Sequence, residues 1–358
     1  MRAAVIWNLG DPFDVREDAS RDPAGPGQVA VRIRAAGVCQ TDLSLAGGAF
    51  GQSAPVVLGH EGAGDIVEVG AGVTDVSVGD RVLITWVPAC GQCYNCIRHE
   101  TYICSNRKRS SDQATTSRLQ VGGTPVQAGL GTGTFAEETV VPASGVIRLP
   151  DDIPFEYAAI LGCAVPTGFG AAVNSGQIRP GDSVLVIGCG AVGLSALQGA
   201  RIAGAAELVA VDPLESRRAL ALSLGATHAF DPDGDPTSAL VDSPGFDVVI
   251  DAVARSSTIT AGWRAARRGG RLVVVGAGRD DDLVQFSAQD LFHEEKKIIG
   301  SYYGASDMRR EVPRLISLWR AGRLDLSAIV DGVADLDRIN DVVSGQRAGT
   351  TLRTILTL

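Results

Sequence analysis

Four cysteines fall within the stretch CGQCYNCIRHETYIC, which places Cys90, Cys93, Cys96 and Cys104 in the pattern CxxCxxCxxxxxxxC. Spacings this short let one turn of backbone aim successive thiolates at a common centre, and the last cysteine closes a tetrahedron with sulfurs about 2.3 Å from a zinc ion. Four thiolates leave no open coordination position, so such a site is structural rather than catalytic. Gly91 and mostly polar neighbours, from about residue 88 to 106, describe a lobe held together by metal in place of a core of its own. An iron–sulfur cluster is the competing occupant of four thiolates. The chain has seven cysteines, an odd and clustered set unlike the disulfide framework of a secreted protein.

Three cysteines remain: Cys39 in AAGVCQTDLSLAGG, Cys163 in AAILGCAVPTGFG and Cys189 in VIGCGAVG. His60 stands in VVLGHEGAGDIVEVG, between a glycine and a glutamate. Two thiolates and one imidazole would make a three-ligand zinc set with an open position, which is what catalysis requires. Cys39, His60 and Cys163 are far apart in the chain, however, and each on its own can equally be a buried core residue.

A second chemistry is written in GCGAVG, residues Gly188, Cys189, Gly190, Ala191, Val192 and Gly193. The strand-like run SVLVI precedes it and a helical run follows, which is the context a dinucleotide fingerprint needs. The first glycine permits the tight turn, the second lets the backbone approach a pyrophosphate, and the third lets helix and strand pack closely. Free N–H groups at the helix start then face the phosphates. Asp212 follows the next apolar run, where a carboxylate bonds the adenosine ribose hydroxyls and repels a 2′-phosphate, so the pattern points to NAD over NADP. The plainer alternative is that Asp212 only opens the turn DPLES. Cys189 occupies a variable position of the fingerprint and reads as a packing residue.

These residues need elements to carry them. At 358 residues the chain exceeds the usual single domain, so two domains are expected. Up to about residue 150 short β runs such as VAVRIRAA, AGDIVEVG and DRVLITWV alternate with Gly, Pro and Asp, as in an irregular, mostly antiparallel β domain. Helical runs follow near residues 151–182, and then continuous apolar strands, DSVLVI, ELVAVD, FDVVIDAV and GRLVVVGAG, are separated by helical segments, as a doubly wound parallel α/β sheet requires. A helix over REVPRLISLWRAGRL and a final strand LRTILTL end the chain. The acidic runs DPDGDP and RDDD and the basic NRKRSS read as solvated loops. A net charge of −9 argues against nucleic acid or an anionic membrane as partner, and small molecules are expected instead. No apolar run is long enough for a signal peptide or a membrane span, and the expected location is cytoplasmic.

Taken together, GVCQTD, GHEGAG, the cysteine lobe, GCAVPTGFGAAV, GCGAVG with Asp212, and LRTILTL resemble the zinc-dependent medium-chain alcohol dehydrogenases, over almost the whole chain and closest to the class III-like, bacterial dimeric branch. The resemblance implies a GroES-like catalytic domain over 1–164 and 303–358 and an NAD-binding Rossmann domain over 165–302. It implies Cys39, His60 and Cys163 as ligands of a catalytic zinc, the ligand set of alcohol dehydrogenase itself, beside the structural zinc of the cysteine lobe. Glu61 resembles the family's adjacent glutamate that can approach the metal, and Asp42 the carboxylate that orients the metal-bound imidazole. Thr41 stands where the family keeps a hydroxyl beside the reacting oxygen. Arg217 and Arg353 match basic positions that contact the coenzyme's ribose and pyrophosphate. The implied reaction is reversible hydride transfer between an alcohol and NAD, with zinc as Lewis acid and Thr41 accepting the proton.

Two positions depart from the family pattern. Ser44 stands where many relatives have a proton-relaying histidine, and Gln40 where an arginine often meets the pyrophosphate. A slower relay and weaker phosphate clamping are expected. The implied pocket positions are Trp86, Gly129, Leu130, Ala277 and Tyr302, all uncharged, which suggests a medium-size or aromatic alcohol or its aldehyde or ketone. Gly129 can alternatively serve only the turn AGLGTG. A dehydrogenase of formaldehyde–thiol adducts (of glutathione or mycothiol) is the runner-up, and a non-catalytic protein binding NAD and zinc is the rival of another class. The long segment from Ser105 to Phe135 resembles the dimeric branch, so a homodimer through edge strands of the coenzyme domain is expected, with a tetramer as the alternative.

Overall fold

The computed structural model describes residues 1–106, 119–241 and 243–358. The chain divides into two units, Met1–Cys163 with Asp307–Ile316 and Val330–Leu358, and Ala164–Ser306 with Ser317–Ile329.

The first unit is built on β structure. Its larger sheet runs Val146–Arg148, Arg81–Ile84, Glu61–Val69, Gln28–Gly37, Thr354–Thr357 and Gly332–Asp335, with Glu138–Pro142 also pairing Gln28–Gly37. Every pair in it is antiparallel except the last two strands of that order. Alternation explains the central strand: Val31, Ile33 and Ala35 are buried, whereas Arg32 and Arg34 between them face water. Val31 and Ile33 pack with Leu58, Ile66, Ile84, Phe135 and Leu356 into one core, each large apolar side chain contributing about 1.5–3 kcal/mol by leaving water. The C-terminal run LRTILTL supplies a strand beside Gln28–Gly37, with Ile355 opposite Gly37 and Leu356 opposite Ala36. That pairing brings Arg353, from the far end of the chain, to the start of the Cys39 loop. A second sheet contains Ala3–Ile6, Val56–Val57 and Thr124–Ala128.

The second unit holds a parallel sheet in the order His228–Phe230, Glu207–Val211, Ser183–Ile187, Phe246–Asp251, Ala266–Val274, Lys297–Gly300. Counted along the chain this is the 3-2-1-4-5-6 order of a doubly wound dinucleotide-binding fold. Ser183–Ile187 is buried at every position, as a strand covered on both faces must be. The helix Ala191–Ala203 follows and ends on Gly204, whose φ of +97° gives the left-handed cap that a side chain would resist.

The units are bounded differently from the domains read in the sequence. Ser317–Ile329, expected with the catalytic domain, belongs to the second unit, because the Gln198 amide donates to the Asp325 carbonyl (3.0 Å) and accepts from its N–H (2.7 Å). The second unit also extends to Ser306, where Asn174 donates to the Gly304 carbonyl at 3.1 Å. Of the segment expected to mark a dimeric branch, and of the basic run NRKRSS, residues 107–118 lie outside the described residues.

Candidate metal centre and coenzyme site

Three element ends converge in the first unit. Cys39 lies between the strand Gln28–Gly37 and the helix Gln40–Ala46, His60 directly precedes the strand Glu61–Val69, and Cys163 follows the helix Phe155–Ile160. Asp42, in the first turn of its helix, ties two of them together. One carboxylate oxygen accepts the Cys39 N–H at 3.0 Å, while the other accepts the Gly59 N–H at 3.1 Å and lies 2.9 Å from His60 Nδ1. Nδ1 is thereby occupied, and Nε2 is left as the free coordinating atom. Nε2 is buried with no hydrogen-bond partner among the described residues. A buried polar atom of this kind is costly unless something binds it. One ligand atom each from Cys39, His60, Glu61 and Cys163 lies within 4.8 Å of the others. An orphaned imidazole nitrogen facing two thiols fits a zinc ion.

The charges favour a cation. The hydrogen bond from Cys163 draws the Cys39 thiol well below its ordinary range, against burial, and the same bond together with burial pushes Cys163 well above it. The two sulfurs therefore share a proton that a metal would displace. Burial alone would lower His60, but the Asp42 carboxylate raises it well above the usual imidazole value. Burial lifts Glu61 to about 7, with Arg353 pulling the other way. The Arg353 guanidinium is 3% exposed, donates to the Val38 carbonyl at 2.6 Å and lies 3.5 Å from Glu61 Oε2. The structure thus gives Arg353 a place beside Glu61. Its Nε has no partner among the described residues.

The cysteine lobe is compact. Cys90, Cys93, Cys96 and Cys104 are all free thiols, and their sulfurs lie within 4.8 Å of one another. Cys90 and Cys96 are 4.0 Å apart and Cys93 and Cys104 3.8 Å, close to the roughly 3.8 Å edge of a tetrahedron of sulfurs about 2.3 Å from zinc. The Cys96 N–H and the Asn106 amide point at the Cys93 and Cys90 sulfurs, and such backbone donors draw the Cys93 thiol down to about 5. The residues fit a structural metal.

In the second unit Gly188 takes φ +88° at the tight turn, and a Cβ on Gly193 would overlap the Gly188 carbonyl. Asp212 sits immediately after Glu207–Val211, where one carboxylate oxygen accepts the Cys189 N–H of the glycine turn (2.7 Å) and the other the Leu214 N–H (2.9 Å). This fixes the carboxylate beside the fingerprint, so it does more than open a turn. Cys189 is fully buried, as a packing residue should be. Arg217 lies close enough to influence the Cys189 thiol, and its neighbour Arg218 grips the Asp212 and Pro213 carbonyls and Asp231.

The remaining positions fall as follows. Thr41 is half-buried in the first helical turn after Cys39, Gln40 is exposed, and the Ser44 hydroxyl donates back to the Gln40 carbonyl at 3.1 Å. Trp86 stands edge-on to His60, with ring centroids 6.2 Å apart. Gly129 is buried, and the room its missing side chain leaves is taken by the Leu58 side chain, 2.5 Å from a built Cβ. Its small size therefore does not enlarge a pocket. Leu130 packs half-buried against the core of the first unit. Ala277 and Tyr302 are exposed residues of the second unit.

Two residues were not singled out in the sequence. Arg81 donates to the carbonyls of Pro150 (3.1 Å), Asp151 (2.5 Å) and Ile153 (2.7 Å) and covers the Phe155 ring, fixing the entry to the helix that leads to Cys163. Gly37 lies directly opposite Glu61 in the sheet. Arg81 carries no motif, and Gly37, though it opens GVCQTD, shows what it adjoins only once the strands pair.

Comparison with known proteins agrees with both units. Residues 25–151 match the alcohol dehydrogenase GroES-like domain and residues 191–319 the zinc-binding dehydrogenase family. The chain is 33% identical to the NDMA-dependent alcohol dehydrogenase of Amycolatopsis methanolica, covering 99% of this chain and 98% of that protein. It is also 33% identical to alcohol dehydrogenase B of Mycobacterium tuberculosis, covering 99% and 97%. The crystal structure of benzyl alcohol dehydrogenase from Acinetobacter calcoaceticus superposes with a TM-score of 0.93 at 30% identity, covering 100% of this chain and 99% of that one. With a parallel doubly wound sheet, a mostly antiparallel first unit and two groups of side chains that could hold a metal ion, this chain belongs to the zinc-dependent medium-chain alcohol dehydrogenase family and is an enzyme.

Proposed function

We propose that the enzyme transfers hydride between a medium-size or aromatic alcohol and NAD, with one catalytic and one structural zinc per chain. The observation that carries this reading is the buried, unpartnered His60 Nε2 grouped with the sulfurs of Cys39 and Cys163. When bound, zinc supplies the Lewis acidity that favours loss of the alcohol proton near neutral pH, and NAD supplies the hydride acceptor.

The chain's own residues do the rest. Cys39, His60 and Cys163 hold the catalytic metal, and Asp42 fixes the imidazole through Nδ1. Thr41 accepts the proton from the alcohol. The Ser44 proton is committed to the Gln40 carbonyl, so the exit runs from Thr41 through the ribose hydroxyls and water. Gly188, Gly190, Ala191, Val192 and Gly193 cradle the pyrophosphate, joined by Arg217, and Asp212 binds the ribose hydroxyls and excludes a 2′-phosphate.

Trp86 beside His60 narrows the approach to the metal, and the likeness to a benzyl alcohol dehydrogenase supports an aromatic substrate. The enzyme acts in the cytoplasm as a homodimer joined through Lys297–Gly300. This is the edge strand of its sheet, with Ile298 exposed there and Leu291 and Phe292 exposed on the preceding helix. Among the described residues no helix is long and apolar enough to cross a membrane.

The test is zinc content per chain together with reduction of NAD and NADP by ethanol, octanol, benzyl alcohol and a formaldehyde–thiol adduct, each with and without NDMA. Two zincs with turnover of benzyl alcohol or octanol in NAD support the reading. Turnover of the adduct alone, or a preference for ethanol, overturns the substrate class.

A further inference from the structure

Glu61 and Gly37 are direct neighbours across two antiparallel strands, and Ile355 flanks Gly37 on the other side. The Glu61 side chain folds over the position where any other residue would carry its Cβ. A Cβ built on Gly37 would overlap Glu61 Oε2 and come within 3.1 Å of Glu61 Cβ and 3.2 Å of its Cδ. Gly37 is in a strand and its φ is not in the left-handed region, so backbone conformation does not demand glycine there. The demand comes from the Glu61 side chain, above all from its carboxylate. Glu61 is completely buried, and two groups that can hold a cationic charge adjoin its carboxylate. One is Arg353, at 3.5 Å from Oε2. The other is the ligand group of Cys39, His60 and Cys163, within 4.8 Å of which a Glu61 oxygen also lies.

We infer that Gly37 is a positioning residue for the metal site: its missing side chain is the slot in which the Glu61 carboxylate rests against Arg353, leaving the fourth coordination position to substrate. The inference rests on the reading of Cys39, His60 and Cys163 as metal ligands. A methyl group at residue 37 evicts the carboxylate from the slot. A buried carboxylate cannot remain without a cationic partner, and the metal is the one at hand. The Gly37→Ala enzyme therefore has Glu61 as a fourth protein ligand, holds its metal more tightly and presents no open position. A fourth carboxylate ligand in place of an exchangeable one moves metal affinity by about ten- to a hundredfold, the range typical of changes around a metal-binding histidine.

The experiment uses the full enzyme carrying cobalt at the His60 site and zinc in the cysteine lobe. The rate of cobalt release to a chelator is followed by the visible spectrum. Gly37→Ala is expected to slow release by about tenfold or more and to alter the cobalt bands. In a Glu61→Ala background, the same substitution at residue 37 should change neither. Release at the parent rate or faster, or slowing that persists without Glu61, overturns the inference. Should Gly37→Ala fail to fold, Arg353→Gln frees the same carboxylate without adding an atom. Slower release then supports the inference, and unchanged or faster release overturns it. Failure of the parent enzyme to take up cobalt at His60 overturns the metal reading itself, and that result is distinct from uptake with unaltered release.

Discussion

Asp42 and His60 are joined in the interior by a 2.9 Å bond between Oδ1 and Nδ1, each side chain 1% exposed. The same carboxylate accepts the backbone N–H groups of Cys39 and Gly59, so it fixes the ring and the loop of one cysteine at once. Replacing it by an amide of equal size removes the charge and one of its accepting oxygens. Asp42→Asn should weaken metal binding at the His60 site by about ten- to a hundredfold, measured by chelator competition, while the cysteine lobe keeps its metal. Equal loss from both sites would mean that the substitution only loosens the fold.

The cysteine lobe has few apolar contacts to fall back on: Tyr94, Ile97 and Ile103 are all exposed. Its order should therefore depend on metal. Cys93→Ser should lower zinc content by one per chain and reduce the melting temperature by several degrees, since each kcal/mol lost shifts Tm by roughly 1 °C in a chain of this size and a structural zinc contributes about 10 kcal/mol or more. Zinc analysis and calorimetry check it. Unchanged stoichiometry would show that the four sulfurs do not share an ion.

The Asp212 carboxylate is pinned beside the glycine turn by the Cys189 and Leu214 N–H groups, the place proposed above for the coenzyme's ribose. A hydrogen bond to a charged group contributes about 1.5–3 kcal/mol. Asp212→Ala should therefore raise the dissociation constant for NAD by about ten- to a hundredfold, with NADP binding unchanged or improved. Titration of protein fluorescence with each coenzyme reads the ratio directly, and an unaltered ratio would remove Asp212 from coenzyme selection.

Asp247 offers a pH test in the second unit. Burial pushes its carboxyl up, but the Ser183 N–H (2.8 Å), Arg267 (2.6 Å) and the Ser183 hydroxyl (3.0 Å) outweigh it and hold the group below its ordinary value. A depressed acid contributes stability that is complete above its unfolded value, near 3.9, and is lost as pH falls through the folded value. Asp247→Asn should lower Tm at pH 7, and the gap to the parent should close as pH falls below about 4. A gap that stays constant down to that range would mean that the carboxylate's charge contributes nothing.

The sequence by itself determined the architecture and the family. Continuous apolar strands alternating with helices specify a parallel sheet, because only a strand covered on both faces can be apolar throughout. GCGAVG states its turn in residue types, since Gly188 must take positive φ and Gly193 must have no side chain. The four-cysteine spacing likewise states its own geometry. What tertiary structure decided was every relationship that depends on strand register or on chain segments meeting from afar. Cys39, His60 and Cys163 become one ligand group only when three element ends converge. Arg353 reaches Glu61 because the last strand pairs beside Gln28–Gly37. Gly129 yields its space to Leu58, and Ser317–Ile329 joins the second unit through Gln198. Gly37 opens the motif GVCQTD, but only pairing set it opposite Glu61. A one-residue shift of register would turn that side chain to the other face of the sheet, and no local pattern records it.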